Sequence, residues 1–342
     1  MKYKLLSVNT PANVINIGDY IQALASHQFL PHMDGFVSRE ALNSYNGEEC
    51  KIVMNGWYMH NPQNWPPSER IKPLFVAFHM NTYTRNAMFS EAGIQYFRRN
   101  SPIGCRDKHT VELLKNHAID AYFTGCMTLT LGEKYHDDEK EDTVYFVDAY
   151  YKNRWNKLDL IKNIPTYIIH KKIIDSLAKK MYSPLKGMKK KLRIVDFYKQ
   201  YSKYFTYETL LKAQFIQQEG AFYNEKFNND EELLQEAERL VRLYARAKLV
   251  VTSRIHCALP CLGLGTPVVY VENANQDDIS LCRMDGLKQL FNIMSWKDGK
   301  LTPQFKLDNN NKLSTDNPPI NKTAWETIAD QLKTTVRAFI DK

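Results

Sequence analysis

Between Leu249 and Val271 the chain spells out one complete folding unit. Leu249-Val250-Val251-Thr252 is a short apolar run, Ser253 to Gly265 follows at helical length, and Pro267-Val268-Val269-Tyr270-Val271 is a second apolar run. Such uninterrupted apolar runs predict strands buried on both faces, as in a parallel sheet covered by helices. Two parallel strands joined through a helix form a βαβ crossover. The unit therefore predicts an α/β protein with its ligands at the carboxyl edges of the strands, where loops and helix N-termini converge.

The rest of the chain repeats the alternation. Leu5 to Val8 reads as the first strand, followed by a polar loop and a helix around Tyr20 to Phe29. Cys50 to Met54, Leu74 to Phe78 and Pro102 to Cys105 read as further buried strands, and Lys108 to His117 as a helix. Glu133 to Asp142 (EKYHDDEKED) is polar and aperiodic, and so predicts a linker over 133–142. Strands restart at Thr143 to Asp148 and at Tyr167 to His170; a helix capped by Asn229-Asp230 then leads into Leu249. At 342 residues the chain exceeds what one core usually serves, so two α/β domains of roughly 150 residues are expected, 1–132 and 143–321. Residues 322–342 form a closing amphipathic helix with Trp325, Ile328, Leu332, Val336 and Ile340 on one stripe.

Charge matters here by its location. The net charge is +8, yet between Lys171 and Lys203 eleven Lys and Arg face only Asp175 and Asp196, a local balance of +9. A patch, as opposed to a globally basic chain, points to phospholipid headgroups or a phosphorylated carrier and away from nucleic acid. A solvated face of a helical insert over 171–206 is the plainer alternative. The six cysteines are scattered without metal-ligand or CxxC spacing, which fits reduced thiols in a cytoplasmic protein and predicts no metal centre. Met1 to Val8 is too short an apolar run for a signal peptide, and no stretch reaches the ~20 apolar residues of a membrane span.

Three groups of residues could carry chemistry. Asn16-Ile17-Gly18-Asp19 enters a helix after the first strand; Gly18 allows close backbone approach, and Asp19 either caps the helix or binds a sugar hydroxyl. Gly104-Cys105-Arg106-Asp107 ends a strand; Arg106 can grip an anion bidentately while Asp107 caps the next helix. Ser253-Arg254-Ile255-His256 sits at the strand-to-helix corner of the unit described first, where Arg254 supplies permanent charge and His256 a proton exchangeable near neutrality. Weaker candidates are His79 at the end of its strand, Asn55 and Trp57 after Cys50 to Met54, and Glu272 closing the strand that begins at Pro267.

These same residues resemble the polysaccharide pyruvyl transferase family. NIGDYIQALA (Asn16 to Ala25) is similar to the family's Gly-Asp loop, and Arg106-Asp107 with Gly125-Cys126-Met127-Thr128-Leu129 to its middle block. VTSRIHCALPCLGLGTPVVYV (Val251 to Val271) resembles its Arg-Leu-His signature with the trailing Gly-x-Pro strand. Met127-Thr128 stands where members often carry Asp-Pro, and Ile255 where they carry Leu. The resemblance implies two Rossmann-like domains facing a cleft in the GT-B manner, with the last helix crossing back to the first domain. It also implies phosphoenolpyruvate as donor and no other cofactor, a saccharide acceptor (lipid-linked in one version), and a cyclic pyruvate ketal as product.

That chemistry asks for fixed positive charge and a proton carrier. Phosphoenolpyruvate bears a carboxylate and a phosphate, which Arg254 and Arg106 suit; His256 suits protonation of the methylene carbon. Asn16, Gly18, Asp19, His79, Ser253 and Glu272 are then the expected substrate contacts. A GT-B glycosyltransferase using a nucleotide sugar, or a non-catalytic protein binding carbohydrate or a membrane surface, would use the same features differently. Peripheral contact with an anionic membrane, and an oligomeric assembly, are both compatible with the sequence.

Overall fold

In the computed structural model, residues 1–8, 14–83, 85–152, 155–277, 281–307 and 312–342 are described. The polar loop expected after Val8 falls, from 9 to 13, outside them. The protein is a mixed α/β structure built on several parallel sheets.

The largest sheet has six strands in the order Gln214–Ile216, Glu141–Val147, Ala247–Thr252, Val268–Asn273, Asn292–Lys297 and Lys300–Pro303; only the last pairing is antiparallel. Its central strands bury both faces. Val250 and Val268 turn toward one core, while Leu249, Val251, Val269 and Val271 turn toward another. Each such side chain contributes roughly 1.5–3 kcal/mol by leaving water, which explains why the runs show no polar alternation. The crossover predicted for 249–271 is present, with its helix at Ile255–Gly263.

The first half carries smaller parallel sheets. Lys2–Tyr3, Cys50–Val53 and Ile71–Leu74 form one; Ala121–Phe123, Ile103–Cys105, Phe78–Met80 and Gly56–Tyr58 form another. The single strand expected from Leu74 to Phe78 is thus two strands. The chain breaks at Phe75-Val76-Ala77, where Ala77 adopts a left-handed φ of 52° and its amide turns to the Thr124 hydroxyl at 2.9 Å. Gly104 fits against this break because a Cβ there would come within 2.7 Å of the Phe75 carbonyl oxygen. The strand expected at Tyr167 to His170 is a second correction: Ile164–Ile169 is a helix with Pro165 in its first turn. No sheet slot was open to it, since Glu141–Val147 is already flanked by Gln214–Ile216 and Ala247–Thr252.

One hydrophobic core joins the two halves of the sequence. Ile17, Ile21 and Leu24 of the first helix (Ile17–His27) share it with Leu240 and Tyr244 of the long helix (Asp230–Arg246) and Leu259 and Leu262 of the corner helix (Ile255–Gly263). Leu332 and Val336 of the last helix (Trp325–Ile340) also enter it. That helix ends against the beginning of the chain, where the Lys51 ammonium donates to the Phe339 and Ile340 carbonyls at 2.9 and 3.1 Å and the Tyr3 hydroxyl donates to Ile340. A cation at a helix C-terminus opposes the negative end of the dipole. The basic stretch forms two helices, Lys171–Lys180 and Gly187–Tyr201, packed on the far face of the six-stranded sheet through Ile173, Ile174, Leu177, Ile194 and Phe197.

Candidate functional site

A short antiparallel pair stitches the first of the three sequence motifs to the third. Ile15–Asn16 pairs with Glu219–Gly220, and the Ile17 amide donates to the Gln218 carbonyl at 2.8 Å. Gln218, wholly buried, donates from its side chain to the His256 carbonyl at 3.4 Å and to the Tyr244 hydroxyl at 3.0 Å. The first loop is thereby fixed against the corner helix. Gly18 touches it directly, since a Cβ at Gly18 would lie 3.0 Å from the His256 Cβ and 3.2 Å from its Nδ1. Asn16, not Asp19, caps the first helix, accepting from the Gly18 amide at 3.0 Å. Asp19 accepts from Gln22 and lies 3.7 Å from the Arg39 guanidinium.

Arg254 is the N-cap residue of the corner helix. Its Nε donates to Asp148 at 2.8 Å and its Nη1 pairs with Glu219 at 2.5 Å. Asp148 holds a left-handed φ of 44° while also accepting from the Gln218 amide at 3.0 Å, a sparsely populated conformation sustained by its partners. Arg254 is thus two-thirds covered and already neutralised. Ser253 is committed to the backbone, donating to the Val271 carbonyl at 2.6 Å and accepting from the Tyr150 amide. Glu272 forms an ion pair with Lys288.

Arg106 is different. It has no exposed surface, and its Nε and Nη2 have no hydrogen-bond partner among the described residues. Its Nη1 sits 3.4 Å from the His256 Nε2, across the junction between the two halves. Burial, and then the like charge of Arg283, lower its pKa to about 10, still far above neutrality, so it stays charged. Orphaned buried donors on a cation are rare in folded proteins, and an anionic ligand would satisfy them.

Both histidines beside it are neutral near pH 7. Burial, then Arg106 and Arg283, push His256 well below its ordinary value. Burial and Arg106 take His79 down to about 4 although Asp107 pulls the other way. The geometry favours a neutral His79 whose Nδ1–H donates to the Asp107 carboxylate at 2.6 Å, leaving Nε2 as an acceptor. Asp107 caps the Lys108–Lys115 helix as expected, accepting from the Thr110 amide and hydroxyl at 2.9 Å. Burial alone would raise the Asp107 pKa, but His79, Arg106 and the Thr110 amide together hold it below the usual carboxylate range.

Two cavities open beside this cluster, one on His256 and one on His79, with Arg106 in the lining of neither. One of about 310 Å³ is lined by Asn16, Gln218, Arg254, His256, Glu272 and Arg283; the other, of about 330 Å³, by Trp57, His60, His79, Asn81, Thr82 and Arg283. Arg283 faces both and has no carboxylate at ion-pair distance among the described residues. A larger cavity of about 360 Å³ lies across Asp148 among Tyr151, Phe197, Phe215 and Tyr223, where Lys180 already donates to the Leu211 and Ala213 carbonyls. Among the described residues, no group of three His, Cys, Asp or Glu side chains is arranged to hold a metal ion.

Sequence reasoning missed Arg39 and Arg283. Arg39 is buried, pairs with Asp19 and Glu40, and places its guanidinium 5.3 Å from the Trp57 ring centroid. Arg39 directly follows the strand Phe36–Ser38, which is too short to read as a strand from its sequence, and Arg283 directly follows no strand, so spacing carried no signal for either. Of the weaker candidates, Trp57 lines a cavity, whereas Asn55 is spent on the Gln22 carbonyl and the Ser26 hydroxyl.

Comparison with known proteins adds the chain's kinship. The model of the family described as polysaccharide pyruvyl transferase matches residues 16–275, which takes in all three motifs. No curated protein matches the chain. A solved structure, an uncharacterised protein from Klebsiella pneumoniae subsp. pneumoniae, aligns with 84% of this chain and 90% of its own at 13% identity and a TM-score of 0.39, too distant to carry an argument.

Proposed function

Because the chain belongs to the polysaccharide pyruvyl transferase family, we propose that it moves pyruvate from phosphoenolpyruvate to a sugar of a surface polysaccharide or its lipid-linked precursor, closing a cyclic ketal. The observation that carries this reading is Arg106, buried and charged with two unused donors, facing His256 over 3.4 Å. Two Rossmann-like domains in a GT-B arrangement, with acceptor and donor on opposite sides of the junction, would present these groups to a ligand held between them.

The donor anion belongs with Arg106 and Arg283. A carboxylate or phosphate there would satisfy the orphaned N–H groups with charge-assisted bonds. Arg254, held between Asp148 and Glu219, positions the start of the corner helix and lends its outer edge to the donor. Trp57, beside His79 and Asn81, offers an aromatic face to the C–H surface of the acceptor sugar.

The proton inventory then closes. A proton passes to the methylene carbon of the enol, leaving an oxocarbenium-like carbon. One sugar hydroxyl attacks that carbon and a second displaces phosphate as its C–O bond breaks; one hydroxyl proton replaces the proton given to carbon, and the other leaves with phosphate. His256 is neutral in the free protein, and a bound anion offsets Arg106 and Arg283, raising its pKa so that it can serve as the acid. His79, oriented by Asp107, accepts a hydroxyl proton at Nε2.

The test is a donor panel read by mass spectrometry on soluble saccharides. Phosphoenolpyruvate should be consumed with phosphate release and the saccharide should gain the mass of the ketal. Release of a nucleoside diphosphate from a nucleotide sugar would instead establish a glycosyltransferase. No turnover with any donor would favour a binding protein.

A further inference from the structure

The segment ahead of the basic helices turns itself inside out. Lys157–Lys162 and Ile164–Ile169 are consecutive short helices, pinned from within by a polar residue. Asn163 is 2% exposed; its amide donates to the Leu192 carbonyl at 2.9 Å and its oxygen accepts from Lys199 at 2.7 Å. Tyr167, one turn on, is likewise buried and hydrogen-bonded to Asp175. With Asn163 and Tyr167 inward, the opposite stripe faces water, and that stripe is apolar. Leu158 is 65% exposed, Ile161 59%, Ile164 41%, Ile168 67% and Ile169 75%. Elsewhere among the described residues Ile320 is the one comparably exposed Ile or Leu. An outward ridge of aliphatic side chains over 157–169 is not accounted for by the core, because Asn163 locks the helices in this orientation.

Charge around the ridge indicates what covers it. Lys157, Lys162, Lys171 and Lys172 are exposed within the ridge segment or just after it, Lys186 and Lys189 are exposed at the start of the second basic helix, and Tyr182 at 66% and Met188 at 53% are further exposed apolar side chains there. The carboxylates of this region are already occupied, Asp175 by Lys171 and Lys191 and Asp159 by Lys152. A protein partner would need acidic groups of matching geometry. An anionic bilayer needs only negative headgroups for the ammoniums and acyl boundary for the isoleucines, the division found in helices that lie in the interface plane.

We propose that the 157–169 ridge inserts into the headgroup region of an anionic bilayer, with the lysines of the basic helices binding the surface around it. This goes beyond attraction of a basic patch, since the aliphatic stripe sets the depth and the orientation. It does not rest on pyruvyl transfer, so either inference can fail without the other.

Co-sedimentation with vesicles of phosphatidylglycerol and phosphatidylcholine, against phosphatidylcholine alone, tests it on the full chain. The wild type should pellet with the anionic vesicles and stay soluble with the neutral ones. Ile168→Glu/Ile169→Glu should weaken binding at least about tenfold at an unchanged melting temperature, because both residues are exposed. Leu158→Glu/Ile161→Glu should do the same, and Lys171→Glu/Lys172→Glu should remove the preference for anionic lipid. The proposal is overturned if the wild type ignores anionic vesicles at low salt, or if the glutamate variants sediment as the wild type does. It is equally overturned if light scattering shows a dimer that Ile168→Glu/Ile169→Glu dissociates, which would make a second copy the occupant.

Discussion

A guanidinium with no exposed surface and two nitrogens without a hydrogen-bond partner destabilises the chain that carries it, and Arg106 is such a group. Burying an ion without full compensation costs several kcal/mol, so a position kept this way is more readily explained by a ligand than by folding. Arg106→Met should therefore leave the melting temperature unchanged or raise it while abolishing binding of phosphoenolpyruvate, as read by thermal shift with and without the donor. A residue serving the fold would show the reverse. His256→Ala should lower turnover by roughly 100-fold to 10,000-fold with the circular dichroism spectrum intact, because the imidazole contacts a cavity on one side. Ser253 and Glu272, engaged with the backbone and with Lys288, should tolerate substitution better than either.

Among the elements, the corner helix is held by a glycine-lined contact that bears on the site. A methyl group at Gly18 would sit 3.0 Å from both the His256 Cβ and the Asn16 Oδ1, so a neighbour must give by a few tenths of an ångström to admit it. Gly18→Ala should push the imidazole off its line to Arg106, lowering kcat by about tenfold for a stability loss of roughly 1–2 kcal/mol, measurable by steady-state kinetics beside urea unfolding. Much of this was legible beforehand. The crossover at 249–271, the caps at Asp107 and Asn229, and the grouping of residues 16–18, 106 and 254–256 follow from apolar runs and strand-end motifs. Other features are set by pairing and proximity that a local pattern does not encode. The Tyr167 run formed a helix because the neighbouring sheet slots were filled. The ion pairs that absorb Arg254 come from Asp148 and Glu219, 106 and 35 positions away. Arg283 reaches the site without any motif around it.

Seen over the whole molecule, a shared core and the return of the last helix to Tyr3 and Lys51 hold the two halves close enough for Arg106 and His256 to meet. Their neutral histidines give the fold a pH signature. His79 and His256 have folded pKa values below the ordinary ~6.5, so the unfolded chain binds more protons below that pH. Stability should be fully present above about pH 6.5 and fall as the pH drops toward 4, by about 1.4 kcal/mol for each unit over which a histidine must stay neutral. Urea midpoints measured across that window check this, and the slope should be shallower in His79→Gln. Donor binding reverses the balance at His256, because an anion beside Arg106 and Arg283 favours the imidazolium. Titration calorimetry of phosphoenolpyruvate in two buffers of different ionisation enthalpy reads this most directly. Binding should be accompanied by net proton uptake near pH 7 in the wild type, with that uptake lost in His256→Ala and the binding itself lost in Arg106→Met. Equal affinity in Arg106→Met, or binding without proton uptake in the wild type, would contradict the account.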